Sequence, residues 1–205
     1  MEALNPKQTA LLLIGFQRDY FDPDGILHSV VQESNRVSGT LEHTLDVIES
    51  LKDSAVSMIS TPIVFSESYE ELDDPVGILK TIKEVRAFRA GTRGAETIDE
   101  LSGFGERIQE VPGKRGFDAF SNTDLGDILR REDIRSVAIA GCVTSVCVNA
   151  TAMRALDEGF DVIILSDCTS GRTPTEQEFF CENVFPLFAQ VIGHDEFLTS
   201  LKSSS

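Results

Sequence analysis

The sequence predicts an α/β fold: a single three-layer doubly wound domain whose six-stranded, mainly parallel sheet carries helices on both faces. Three observations point there. Apolar runs without alternation, above all Thr9–Phe16 and Ser136–Ala140, read as strands buried on both faces. Segments with apolar residues at helical spacing fall between the strands, as right-handed crossovers in a parallel sheet require. No linker, repeat or low-complexity tract divides the 205 residues, so one domain is expected over 1–205, with residues 1–7 and 200–205 frayed.

In chain order, the first strand (9–16) leads into a polar loop rich in Asp, Pro and Gly (18–25). Leu41, Leu45, Ile48, Leu51 and Val56 then mark one long amphipathic helix over about 35–58. Residues 61–66 form the second strand, with Pro62 tolerated at its start. Residues 67–106 are acidic and loop-like, with one or two short helices. A third strand over 107–111 is broken by Pro112-Gly113, and a helix over 122–131 takes Asn122 or Thr123 as its N-cap. The fourth strand (136–140) is followed by a helix over 145–158 closed by Gly159. The fifth strand covers 160–166, a helix starts at Pro174 and runs to about 185, and residues 190–192 give the sixth strand.

The charge is strongly one-sided: 34 Asp and Glu against 18 Lys and Arg leave −16. A field of that sign repels nucleic acid and anionic lipid, so neither is expected as a partner, and no apolar run approaches the roughly 20 residues that span a bilayer. The N-terminus shows no signal-peptide pattern, and the four cysteines (142, 147, 168, 181) form neither a CxxC pair nor a zinc-finger spacing with histidine. These features predict a cytoplasmic protein with reduced thiols. His28, His43 and His194 are scattered without ligand spacing, so no metal is expected. With no Gly-rich phosphate loop after the first strand, no organic cofactor is expected either.

In an open parallel sheet, sites form beyond the carboxyl ends of the strands, which directs attention to residues 15–22, 112–120 and 141–147. Cys147 falls near the first turn of a helix, where free N–H groups and the helix dipole favour a thiolate and can receive an oxyanion. Lys114 follows a Pro-Gly break, from which its ammonium can reach the same cleft. The plain alternatives are that Cys147 is a small buried apolar residue, as Cys142, Cys168 and Cys181 are read to be, and that Lys114 is a solvated surface charge. The acidic run Glu67, Glu70, Glu71, Asp73 and Asp74 reads as a solvated loop.

Together these segments resemble the isochorismatase-like cysteine hydrolases. Residues 10–21, ALLLIGFQRDYF, are similar to the family's opening A-L-L-x-I-D-x-Q-x-D-F; residues 114–125, KRGFDAFSNTDL, to K-x-x-x-S-A-F-x-x-T-x-L; and residues 141–151, GCVTSVCVNAT, to G-x-x-T-x-x-C-V-x-x-T. The resemblance implies Cys147 as nucleophile and Lys114 as the residue that stabilises its thiolate. It also implies an oxyanion hole from the Val143 and Cys147 N–H groups, with a cis peptide before Val143. It further implies a homo-oligomer, a dimer or larger.

Two departures qualify it. The family's triad Asp is replaced by Gly15, while Gln17 and Asp19 keep the downstream register. The group that handles the proton is therefore missing, and Asp19, Glu67 or a water in the space left at Gly15 are the candidate substitutes. The Asp-x-His motif of the metal-dependent nicotinamidase branch is also absent, since residues 65–71 read FSESYEE. The expected function is hydrolysis of a C–N bond, amide or carbamoyl, in a small molecule through a Cys147 thiolate, impaired by the missing Asp. The alternative is a non-catalytic small-molecule-binding or regulatory relative that keeps the pocket. Phe16, Phe21 and Phe117 are candidates to line it.

Overall fold

A computed structural model describes residues 3–202. Its sheet holds six parallel strands: β1 Thr9–Ile14, β2 Ser57–Ser60, β3 Ile108–Glu110, β4 Ser136–Cys142, β5 Asp161–Ser170 and β6 Gln190–Ile192, in the spatial order β3-β2-β1-β4-β5-β6. The helices are α1 Arg18–Phe21, α2 His28–Ser38, α3 Thr40–Leu51, α4 Gly77–Val85, α5 Asp99–Ser102, α6 Leu125–Arg131, α7 Asn149–Asp157, α8 Pro174–Phe179 and α9 His194–Lys202. No helix among the described residues is long and apolar enough to cross a membrane.

Every residue of β1 is buried, and alternation sends its side chains to two cores. Ala10, Leu12 and Ile14 join Val137, Ile139 and Ile164 beneath α6 and α7, whereas Leu11 and Leu13 join Ala138, Ala140 and Ile163 beneath α3 and α9. This is the three-layer doubly wound arrangement. Winding reverses between β1 and β4, which places a crevice at their carboxyl ends. A third apolar cluster, including Tyr20, Ile63, Ile82, Phe88 and Val143, roofs that edge.

The elements differ from the sequence reading where local breaks outweigh periodicity. The long helix is two helices, α2 and α3, divided at Gly39. The second strand lies earlier, at 57–60: Thr61 N–H still reaches the Leu13 carbonyl, but Pro62 has no N–H to continue the ladder. The helix expected from Asn122 begins only at Leu125. β5 runs on to Ser170 past a bulge, pairing Ile164 with Ile139 and resuming at Thr169 opposite Gly141. The polar loop after β1 contains the turn of helix α1. The described termini are ordered: Pro6–Gln8 forms a 3₁₀ turn, Leu4 N–H bonds the Ser200 carbonyl, and Leu201 is buried in α9, a helix not anticipated. Residues 1–2 and 203–205 lie outside the described residues.

At the switch point the two central strands come very close. Gly141 has φ +118°, and a Cβ there would overlap the Ile14 carbonyl. Gly141→Ala is expected to cost about 2–4 kcal/mol, combining backbone strain with that overlap. Urea unfolding measures it, and a cost below about 1 kcal/mol would show that the strands can separate without penalty.

Candidate active site

β4 ends in a cis peptide between Cys142 and Val143. The chain then makes a wide turn over Thr144–Val148 before α7 begins, where the sequence suggested an ordinary helix from 145. The Val143 carbonyl accepts from the N–H of Val146 (3.0 Å) and Val148 (3.2 Å) and passes over that of Cys147. Two neighbours on α8 hold the turn. Thr144 Oγ1 donates to Gln177 Oε1, Gln177 Nε2 donates to the Ser166 carbonyl (2.9 Å), and Ser145 Oγ donates to Glu176 Oε1 (2.5 Å). Thr173 caps α8 by accepting the Glu176 N–H, and Pro174 occupies its first turn.

Cys147, 7% exposed, borders a cavity of about 150 Å³. Val143, Val146 and Phe117 form the wall beside it, Tyr20 comes from α1, Val30 from α2 with Leu27 just before it, Ile78 and Ile82 from α4, and Ile63 and Phe88 from the loops. Gln17 braces this roof. Its amide donates to the Ile63 (3.0 Å) and Ala95 (2.8 Å) carbonyls and accepts the Ile63 N–H (3.0 Å). Of the three phenylalanines considered for the pocket, only Phe117 lines it. Alternation along β1 would send Phe16 to the Cys147 side with Leu12 and Ile14. The left-handed Gly15 (φ +72°) breaks that alternation, so Phe16 joins Leu11 and Leu13 and stacks on Phe21 at 5.1 Å.

Lys114 is not a surface charge. It is 1% exposed, and its Nζ has no hydrogen-bond partner. Lys114 and Cys147 both act on the thiol of Cys142: burial pushes that thiol well up, the Cys147 charge pushes it further, and the Lys114 charge draws it back. Burial also pushes the thiol of Cys181 up to about 11 and that of Cys168 higher still. The phenol of Tyr20 is held well above its ordinary range by burial, then by the charges of Cys147, Cys142 and Asp19, so it remains an O–H donor beside Cys147.

None of the three substitutes considered for the missing carboxylate stands ready. Asp19 is buried but its Oδ2 accepts the Phe88 N–H at 2.6 Å, and Gly94 packs against the same carboxylate. Glu67 is exposed. The space at Gly15 is closed: a Cβ there would lie 2.7 Å from the Cys142 carbonyl oxygen and 3.2 Å from its Sγ. The acidic loop is only partly solvated, because Glu71 accepts from Ser66 N–H (2.9 Å) and Oγ (2.8 Å) and pairs with Arg115 (2.9 Å).

The fold does bring two of the scattered histidines together. On the α3/α9 side, His43 and His194 stack at 4.5 Å and 16°, and Asp167 in the β5 bulge holds both, taking Nδ1 of His194 on its carboxylate (2.7 Å) and Nδ1 of His43 on its carbonyl (3.1 Å). Among the described residues this is the one His, Cys and carboxylate group compact enough to hold an ion. The other ring nitrogen of His194, Nε2, faces Asp195 Oδ1 at 3.6 Å. Sequence spacing carries no signal for the cluster.

The family model for the isochorismatase domain matches residues 9–196. The chain belongs to the isochorismatase family. It is 26% identical to an uncharacterised isochorismatase family protein, YecD, of Escherichia coli O157:H7, over 98% of this chain and 100% of that one. It is 22% identical to maleamate amidohydrolase of Pseudomonas putida, over 96% and 88%. Its fold matches that of a cysteine hydrolase from Pseudomonas syringae pv. phaseolicola with a TM-score of 0.84 at 19% identity, over 100% and 97%. Maleamate amidohydrolase is by its name an amide hydrolase, and at the general level this chain stands among the isochorismatase-family hydrolases.

Two stability predictions follow from the site. Lys114→Met replaces a buried amine without a partner by an apolar chain of similar length and should raise unfolding stability by about 1–3 kcal/mol; a loss of stability would mean that the amine is satisfied. Gly15→Asp should lower stability by about 1–3 kcal/mol and leave no free carboxylate beside Lys114, because φ is positive and Cys142 fills the space; an unchanged melting temperature would contradict this.

Proposed function

We propose that the protein is a cysteine amidase, cleaving the C–N bond of a small amide or carbamoyl compound through Cys147, with Lys114 carrying the proton that the family assigns to an Asp. The observation that carries this reading is the Lys114 amine, 1% exposed and unpartnered, which like Cys147 lies close enough to Cys142 to act on its thiol. A lysine nitrogen is rarely left buried without a partner unless it has a task.

The steps follow from these groups. The Cys147 thiol gives its proton to the Lys114 amine, and the thiolate attacks the substrate carbonyl. The N–H groups of Val143 and Cys147 receive the oxyanion. Lys114 then gives its proton to the departing nitrogen, the C–N bond breaks, and a thioester remains on Cys147. Water attacks the thioester while Lys114 takes its proton, and collapse releases the acid and returns the proton to sulfur. Cysteine–lysine proton exchange of this kind parallels known Ser–Lys dyads.

Arginine tests the step because it keeps the positive charge but cannot deprotonate. Lys114→Arg and Lys114→Met should both lower ammonia release about 10²–10⁴-fold; a fully active Arg variant would reduce Lys114 to an electrostatic role. Iodoacetamide labelling, located by mass spectrometry, should modify Cys147 before the other three cysteines. Cys181 should label only as pH rises toward about 11, where its thiolate appears, and Cys142 should resist throughout. The second reading, a binding protein without turnover, draws on Gly15. It requires Cys147 to label as slowly as Cys142.

A further inference from the structure

Building on the assignment of Cys147 as nucleophile, we propose that the site accepts neutral amides with a compact apolar acyl group, an aromatic ring or a branched aliphatic chain, and rejects amides that carry a carboxylate.

The cavity walls argue for it. Leu27, Val30, Ile63, Ile78, Ile82 and Phe88 form its body, and no acidic residue borders it. The one charged residue at the cavity is Arg172, whose side chain is 56% exposed and already paired, Nε to Glu176 Oε2 at 2.7 Å. Glu176 is itself fixed, since its other oxygen accepts the Ser145 hydroxyl and the Arg172 N–H. Arg172 therefore sits at the exposed rim, with Nε committed to Glu176, and not among the apolar walls. The other cation, Lys114, is not part of the cavity wall.

A carboxylate entering the body of this space would lose its hydration among side chains that carry no charge, a cost an apolar group does not bear. The volume of about 150 Å³ suits one ring of benzene size, and apolar cavities of that size lined by Leu, Ile and Phe do hold benzene. Two polar groups remain to orient the amide, the Tyr20 hydroxyl and Thr81. A pocket mostly apolar with a few placed polar groups is the usual form of a small-molecule site.

The test is calorimetric titration of Cys147→Ser with benzamide, isovaleramide, maleamate and succinamate, together with ammonia release by the unsubstituted protein. Benzamide and isovaleramide should bind saturably and at least about tenfold more tightly than either anion. Ile78→Trp, which fills the cavity, should weaken benzamide binding by a similar factor. Equal or tighter binding of maleamate, or no binding by any of the four, overturns the inference. Because the neutral-to-anionic ratio is read on one protein, it stands whether or not the Trp variant folds. If benzamide binds selectively but releases no ammonia from the unsubstituted protein, the inference holds and the amidase reading fails.

Discussion

The carboxyl ends of β1 and β4 lie so close that a side chain is excluded at one point and nearly so at the next, and the rest of the site follows from that contact. Gly141 has no Cβ because Ile14 occupies its place, and Gly15 has none because Cys142 does. With the two strands locked edge to edge, the chain leaving β4 must turn at once, through the cis Cys142–Val143 peptide and the wide turn that presents Cys147. A doubly wound sheet offers a crevice where its winding reverses; here that crevice is narrowed at its base by thiol and backbone and widened above into an apolar chamber.

The same contact bears on the proton chemistry. A carboxylate on β1 would give a buried ammonium its counter-charge, yet the position is filled by Cys142, whose own thiol is held protonated by burial. Lys114 is left as the buried charge-bearing group with no partner, an expensive arrangement in a marginally stable protein. Function commonly accounts for such a cost, and stability given up at a site is the usual trade. The neighbouring hydrogen bonds, Gln17 to Ile63 and Ala95 and Gln177 to Ser166 and Thr144, show no comparable deficit.

Much of this was legible in the sequence. Continuous apolar runs marked β1 and β4, and the residues around Cys147 and Lys114 drew attention to two segments, one bordering the cavity and one carrying a buried lysine. The fold class followed from alternation of strand and helix patterns. What stayed hidden depends on three-dimensional neighbours. Phe16 was a candidate to line the pocket, and the left-handed backbone at Gly15 turns it to the other core. Asp19 looked available because its partner, the Phe88 N–H, lies far along the chain. Ile78 and Ile82 sit in an acidic stretch read as loop with one or two short helices, whose short periodicity did not single them out. Tyr20 stood in a flagged segment, but nothing in its flanks separates a pocket phenol from a core one.

The central claim is that Cys147 forms a covalent acyl intermediate with Lys114 alone to move the proton. Intact-protein mass spectrometry after rapid acid quench, on the protein mixed with a neutral apolar amide, tests it most directly. The account predicts an added mass equal to the acyl group, located on Cys147, removed by hydroxylamine and absent from Lys114→Arg. Ammonia release with no adduct on Cys147, or an adduct that forms equally fast in Lys114→Arg, would contradict it.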